Sequence, residues 1–206
     1  MTWKLKFDND TGTYYCDENG LLLTIEPRED NCLYRGPFGP HRLDMERRGL
    51  IYYKAYRVRD LVIPEGVRIL GNGDPDSFSP DGTFQDSIVT GKLRFPSTLE
   101  SLRDNVLSGS LIMDMELPET VRYIGCGAIM NCYIQRLRLG AGLAEPEDGW
   151  YWERAKDDRW KQEAAGRLAC GGRQFKETII GTLIVPAGYP YKRLMPEAKI
   201  DEVITY

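Results

Sequence analysis

The stretch Met115-Glu116-Leu117-Pro118-Glu119-Thr120-Val121-Arg122-Tyr123-Ile124-Gly125 decides the fold of this chain. It opens apolar-x-apolar-Pro, and an apolar residue follows three positions after the proline. Alternating apolar and polar side chains make a short strand with one buried face. Proline ends the strand, because it donates no ladder hydrogen bond. Cys126-Gly127-Ala128-Ile129-Met130-Asn131-Cys132 follows, and at Leu137-Arg138-Leu139-Gly140 the pattern begins again.

Working outward, the same unit recurs. Leu61-Val62-Ile63-Pro64 leads to Val67, and Leu93-Arg94-Phe95-Pro96 leads to Leu99. Leu137-Arg138-Leu139-Gly140 leads to Leu143 with Gly in the proline place, and Leu183-Ile184-Val185-Pro186 leads to Tyr189. Val203-Ile204-Thr205 reads as a truncated last copy. Pro64, Pro96, Pro118, Gly140 and Pro186 stand 32, 22, 22 and 46 residues apart. The period is near 22, with a loop added in the first interval and either an insertion or a degenerate repeat in the last. Periods of this size signify a solenoid, in which each coil buries its apolar edge only against its neighbours. Gly71 and Gly125 are expected to turn the corners with a positive φ.

The unit resembles the BspA-like leucine-rich repeats, short bacterial units that read like Leu-x-x-Ile-x-Ile-Pro-x-x-Val-x-x-Ile-Gly-x-x-Ala-Phe-x-x-Cys. Met115 to Cys132 matches best, with Ala128-Ile129 in the Ala-Phe place and Cys132 in the Cys place. The resemblance covers roughly 58–143 and 179–206. It departs at the first long loop, at Leu102-Arg103 where Ile-Gly is expected, and across 144–178. It implies a parallel β solenoid used for binding and brings no catalytic motif.

Composition narrows the rest. A chain of 206 residues with net charge −4 is one domain or one and a half, and does not suggest a nucleic-acid groove. No apolar run approaches the length of a membrane-spanning helix. Met1 to Asp10 has no signal-peptide core, so the expected location is cytoplasmic, or secreted only from a longer gene product. The five cysteines lack CxxC spacing and read as small buried residues, a disulfide framework being the weaker reading. His41, the single histidine, reads as a loop residue, and its being alone removes HExxH zinc motifs and histidine relays. The loop 71–82 lacks the Gly and Glu of a calcium loop, and there is no phosphate-binding GK[ST]. No catalytic residue, metal or cofactor is expected.

The expected fold is mainly β: a short leucine-rich-repeat parallel β solenoid with an N-terminal β-hairpin cap and one inserted α-helix. Residues 1–57 form the cap and a turn-rich connection. In the cap, Trp3, Leu5 and Phe7, then Thr13 to Cys16, then Leu21, Leu23 and Ile25 make a meander around two turns. Residues 58–206 form the solenoid, interrupted by about 144–178. There Pro146, the acids around it and the stripe Trp152, Ala155, Trp160, Ala164, Leu168 predict a helix from about 147 to 170.

Stacking the strands in register puts their outward residues in columns. One column is Asp60, Lys92, Asp114, Arg136; the next is Val62, Arg94, Glu116, Arg138. Opposite charges about 4.8 Å apart would pair and help set register. The columns are either a self-neutralised ladder or a recognition face, with Arg94, Glu116 and Arg138 the first residues to test. Trp150, Tyr151 and Trp152 either pack on the coils or anchor a partner. The C-terminal strand is covered by the helix or pairs with a second copy as a homodimer. The function expected is a non-catalytic module that recognises a protein partner, with an adhesin-like or carbohydrate-binding protein as the alternative. No nucleic-acid or membrane partner is expected, and no enzyme.

Overall fold

A computed structural model describes residues 4–27, 57–71, 84–103, 105–125, 127–141 and 173–206. The expected helix over 147–170, with Trp150, Tyr151 and Trp152, lies outside them, as do His41, Cys126 and all but the first residue of the loop 71–82. The described chain is mainly β, with a parallel sheet at its centre.

Strands β1 (Leu5–Asn9), β2 (Gly12–Cys16) and β3 (Leu22–Pro27) form an antiparallel meander. The turn between the first two holds Asn9, whose side chain accepts hydrogen bonds from the Thr11 and Gly12 backbone amides, an Asx turn. The third strand departs from strict alternation. A bulge opposite Tyr15 and Cys16 pairs Cys16 with Leu22 and Tyr15 with Thr24, so Leu21, Leu22 and Ile25 are the residues seen buried.

Beyond it lie β4 (Arg57–Val58), β5 (Leu61–Val62), β6 (Ile69–Leu70), β7 (Ile88–Arg94), β8 (Ser101–Leu102), β9 (Leu111–Leu117), β10 (Tyr123–Ile124), β11 (Tyr133–Leu139), β12 (Ile179–Val185) and β13 (Lys199–Thr205). The long strands make one sheet in the order β13-β12-β11-β9-β7-β4, with β5 also on β7. The two-residue strands make a second sheet, β10-β8-β6. Every pairing in both is parallel. Parallel neighbours need a crossover of a dozen or more residues, which a 22-residue period provides. Strands stop where proline or Gly140 removes the pattern, and Val67, Leu99 and Val121, three residues beyond Pro64, Pro96 and Pro118, are fully buried.

A third row is made of turns. Phe84, Leu107, Ile129 and Phe175 point inward from successive turns, joined by hydrogen bonds from Phe84 N to Val106 O, Leu107 N to Ala128 O and Ile129 N to Gln174 O. Inside lies one continuous core. Two of its columns are Val89, Ile112, Ile134, Ile180 and Leu93, Met115, Leu137, Leu183, and Leu70, Leu102 and Ile124 face them from the small sheet. Each such side chain stabilises the fold by about 1.5–3 kcal/mol relative to exposure.

Three expectations are corrected. First, Gly71 and Gly125 are not among the positive-φ residues; Asp86, Gly109, Asn131 and Glu177 are, one per turn, with Asn105 and Gly127 before them. Gly71 is needed for space instead, since a Cβ there would sit 2.7 Å from the Arg103 side chain. Second, the interval of 46 residues is an insertion with respect to the long sheet, because Tyr133 to Arg138 pair directly with Ile179 to Ile184 and leave no place between them for a further strand. Third, the last strand is longer than Val203 to Thr205: β13 pairs with β12 from Lys199 to Thr205. Leu102, where the pattern looked broken, holds its register between Leu70 and Ile124.

Candidate binding face

The outward side of the long sheet carries the charged columns in the expected register. Lys92 pairs with Asp114 and Asp114 with Arg136; Val62 pairs with Arg94, Arg94 with Glu116 and Glu116 with Arg138. Asp60 lies outside the ladder, but its Oδ1 accepts a hydrogen bond from the Lys92 amide at 2.8 Å. Gly91, just before, approaches so closely that a Cβ would stand 2.3 Å from that same oxygen.

Three ion pairs run straight across as expected, Arg94–Glu116, Arg136–Asp114 and Arg138–Glu116, at 3.7–4.0 Å, but the shortest does not. Arg94 leans diagonally: its Nη2 donates to Asp114 Oδ2 at 2.6 Å, and its Nη1 to Asp114 O at 3.2 Å, while Glu116 Oε2 is 3.9 Å from its Nε. The physical reason is reach, because a guanidinium spans the diagonal while an ammonium from Lys92 does not fork. Glu116 Oε1 takes Arg138 Nε at 3.7 Å, and the Arg138 guanidinium lies 4.3 Å from the centre of the Tyr206 ring. Tyr206 is held there by its hydroxyl, which donates to Leu139 O at 2.8 Å. Arg136 is left over: it stands 4.0 Å from the Asp114 oxygen that Arg94 already occupies, and its side chain is 50% exposed against 20% for Asp114. Lys92 is exposed and makes no ion pair among the described residues.

Sequence reasoning missed a second feature of this face. Three residues before the charged column, or four on β7 with its bulge, Ile88, Leu111, Tyr133 and Ile179 stand in register on adjacent strands. Leu111, Tyr133 and Ile179 are exposed, and Met113 beside them is too. The signal was present, since Leu111, Tyr133 and Ile179 each stand seven residues before the proline or glycine anchor. Only the last few residues before the anchor were read as strand, so the row went unseen.

Burial pushes the thiols of Cys16 and Cys132 up to about 12, which suits packing, not reactivity. Among the described residues, no three His, Cys, Asp or Glu side chains stand where they would hold a metal, and no helix is long and apolar enough to cross a membrane. A hollow beside β13, about 410 Å³ and lined by Tyr191, Lys192, Met195, Ile200 and Val203, is open and lies at the end of the core columns. No protein-family model, no curated protein and no solved structure matches the chain.

Proposed function

We propose that this chain is a short leucine-rich-repeat solenoid of the BspA-like kind, with residues 4–27 as the cap of its first coil, and that it acts as a non-catalytic protein-binding module. The successive parallel strands and the three rows of aligned positions support the architecture. The cap is supported by contacts to the first coil. Asn9, Thr11 and Tyr14 all donate to Val62 O, and Gly20 O accepts from the Arg68 and Ile69 amides.

One observation carries the binding reading. An apolar row lies exposed beside a charged ladder on the same rigid face, and large side chains are not left in register on a surface for the sake of the core. A stacked sheet offers breadth and no deep pocket, which fits a macromolecular partner. The test replaces Leu111 and Tyr133 with Asp and compares capture of proteins from the native host by the two forms. Loss of a specific partner with an unchanged melting curve supports the reading. Capture that ignores the substitutions, or no specific partner at all, overturns it.

A further inference from the structure

We infer that the partner surface recognised by this face is an acidic polypeptide segment bearing apolar side chains; the inference rests on the binding reading above and adds the partner's chemistry. On β7, β9 and β11 the outward charges are Lys92, Arg94, Arg136 and Arg138 against Asp114 and Glu116. These three strands thus carry two more outward cations than carboxylates on a chain of net charge −4, with Asp60 beside Lys92 and Glu202 on β13 as the carboxylates at the ends of the same column.

The geometry says which cations are available. Arg94 is held by Asp114, and Arg138 by Glu116 and the Tyr206 ring. Both carboxylates are thus engaged by the guanidiniums around them. Lys92 remains, and so does Arg136 apart from its 4.0 Å contact to Asp114, on the two strands that flank Asp114, roughly 10 Å apart at about 4.8 Å per strand. A carboxylate arriving between them meets two donors without first breaking the Arg94–Asp114 pair. Along the strands, the Leu111 and Tyr133 side chains lie three residues away, about 10 Å at 3.3 Å per residue. A segment with Asp or Glu within four residues of Leu, Ile, Phe or Tyr therefore satisfies both features at once. A basic segment would face Lys92 and Arg136 with like charge, and a neutral one would leave them unused.

The experiment selects a random dodecamer peptide library against the immobilised full chain, and in parallel against the variant Lys92→Glu with Arg136→Glu. Neither residue is buried, so the variant should keep its melting temperature, which circular dichroism checks. The wild type is expected to select net-negative peptides with apolar residues. Those peptides should bind the variant about tenfold more weakly or worse, and the variant should select basic sequences. Neutral or basic sequences from the wild type, acidic peptides indifferent to the charge reversal, or no enrichment at all would each overturn the inference. Retention of poly-uridylate RNA in place of peptides, weakened by the same reversal, would also overturn it. Host-partner capture that depends on Leu111 and Tyr133, together with non-acidic peptides, sinks only the chemistry; capture indifferent to those residues sinks the binding reading itself.

Discussion

At the scale of single residues, the most informative column is Ser87, Ser110, Cys132 and Thr178. All four are buried, one per turn. Ser110 Oγ donates to Phe84 O at 2.8 Å, Cys132 Sγ donates to Leu107 O at 3.0 Å, and the Thr178 hydroxyl donates to Ile129 O and accepts from Cys132 N. Ser110, Cys132 and Thr178 each bond a carbonyl of the turn before their own; the Phe84 and Leu107 carbonyls also accept a turn amide, and a buried carbonyl left without a partner is expensive. Thr178→Val keeps the shape and removes the hydroxyl, so it should cost about 1–3 kcal/mol in urea unfolding. Cys16 and Cys132, with thiols pushed to about 12 by burial, should resist iodoacetamide at pH 8 in native protein and react only in urea, as peptide mass mapping will read. Glu65 supplies the pH dependence. Burial raises its carboxyl, but hydrogen bonds from Ser97 N, Ser97 Oγ and Thr98 N outweigh this and hold it below its usual 4.5. A lowered folded-state value means stability that is present above pH 4.5 and fades as pH falls through the folded value. The melting temperature of Glu65→Gln should therefore fall less than that of wild type between pH 5 and acid, and equal slopes would remove Glu65 from the account.

At the scale of elements, the strands were half legible. Leu117-Pro118 and its relatives mark a strand end, because proline cannot donate and the apolar alternation stops there. The starts at Ile88, Leu111, Tyr133 and Ile179 were not marked, because their outward side chains are apolar and break the expected alternation. The charge columns were legible in register and in most of their pairs, but not in the shortest one, since register follows from the period while the diagonal reach of Arg94 depends on side-chain placement. Glu116→Ala removes only half-exposed, long contacts and should cost less than about 1 kcal/mol. Gly91→Ala on the same sheet should cost more, about 1–3 kcal/mol, because its Cβ would collide with the Asp60 carboxylate and the Arg59 carbonyl. Thermal melts of the two variants side by side will rank them, and the reverse order would mean that the ladder, not the close approach, holds β7 in place.

At the scale of the whole molecule, position along the stack matters as much as residue type. Leu137 and Val203 occupy the same inward column, but Leu137 is sandwiched between neighbours while Val203, on the edge strand, is 39% exposed. Leu137→Ala should cost about 2–5 kcal/mol and Val203→Ala well under half of that. If the two costs match and depend on protein concentration, β13 is covered by a second copy, and a sedimentation measurement will show the dimer. The period of 22 was enough to predict parallel strands over one core, because repeated units bury their apolar edges only in register. It was not enough to choose between an insertion and a degenerate repeat in the interval of 46, since both satisfy the same spacing until Tyr133 is seen beside Ile179.

By itself the sequence determined the repeat, the strand ends at proline, the parallel stacking and the order of charges along the sheet, all of which are periodic and therefore written in one dimension. Only the tertiary structure decided which cations are spent on neighbouring carboxylates, which glycines serve close approach and which serve a left-handed turn, and that an apolar row lies exposed. Those outcomes depend on distances between neighbouring strands, and a side chain's partner on the next strand is 20 or more residues away in the chain, where no local pattern specifies it.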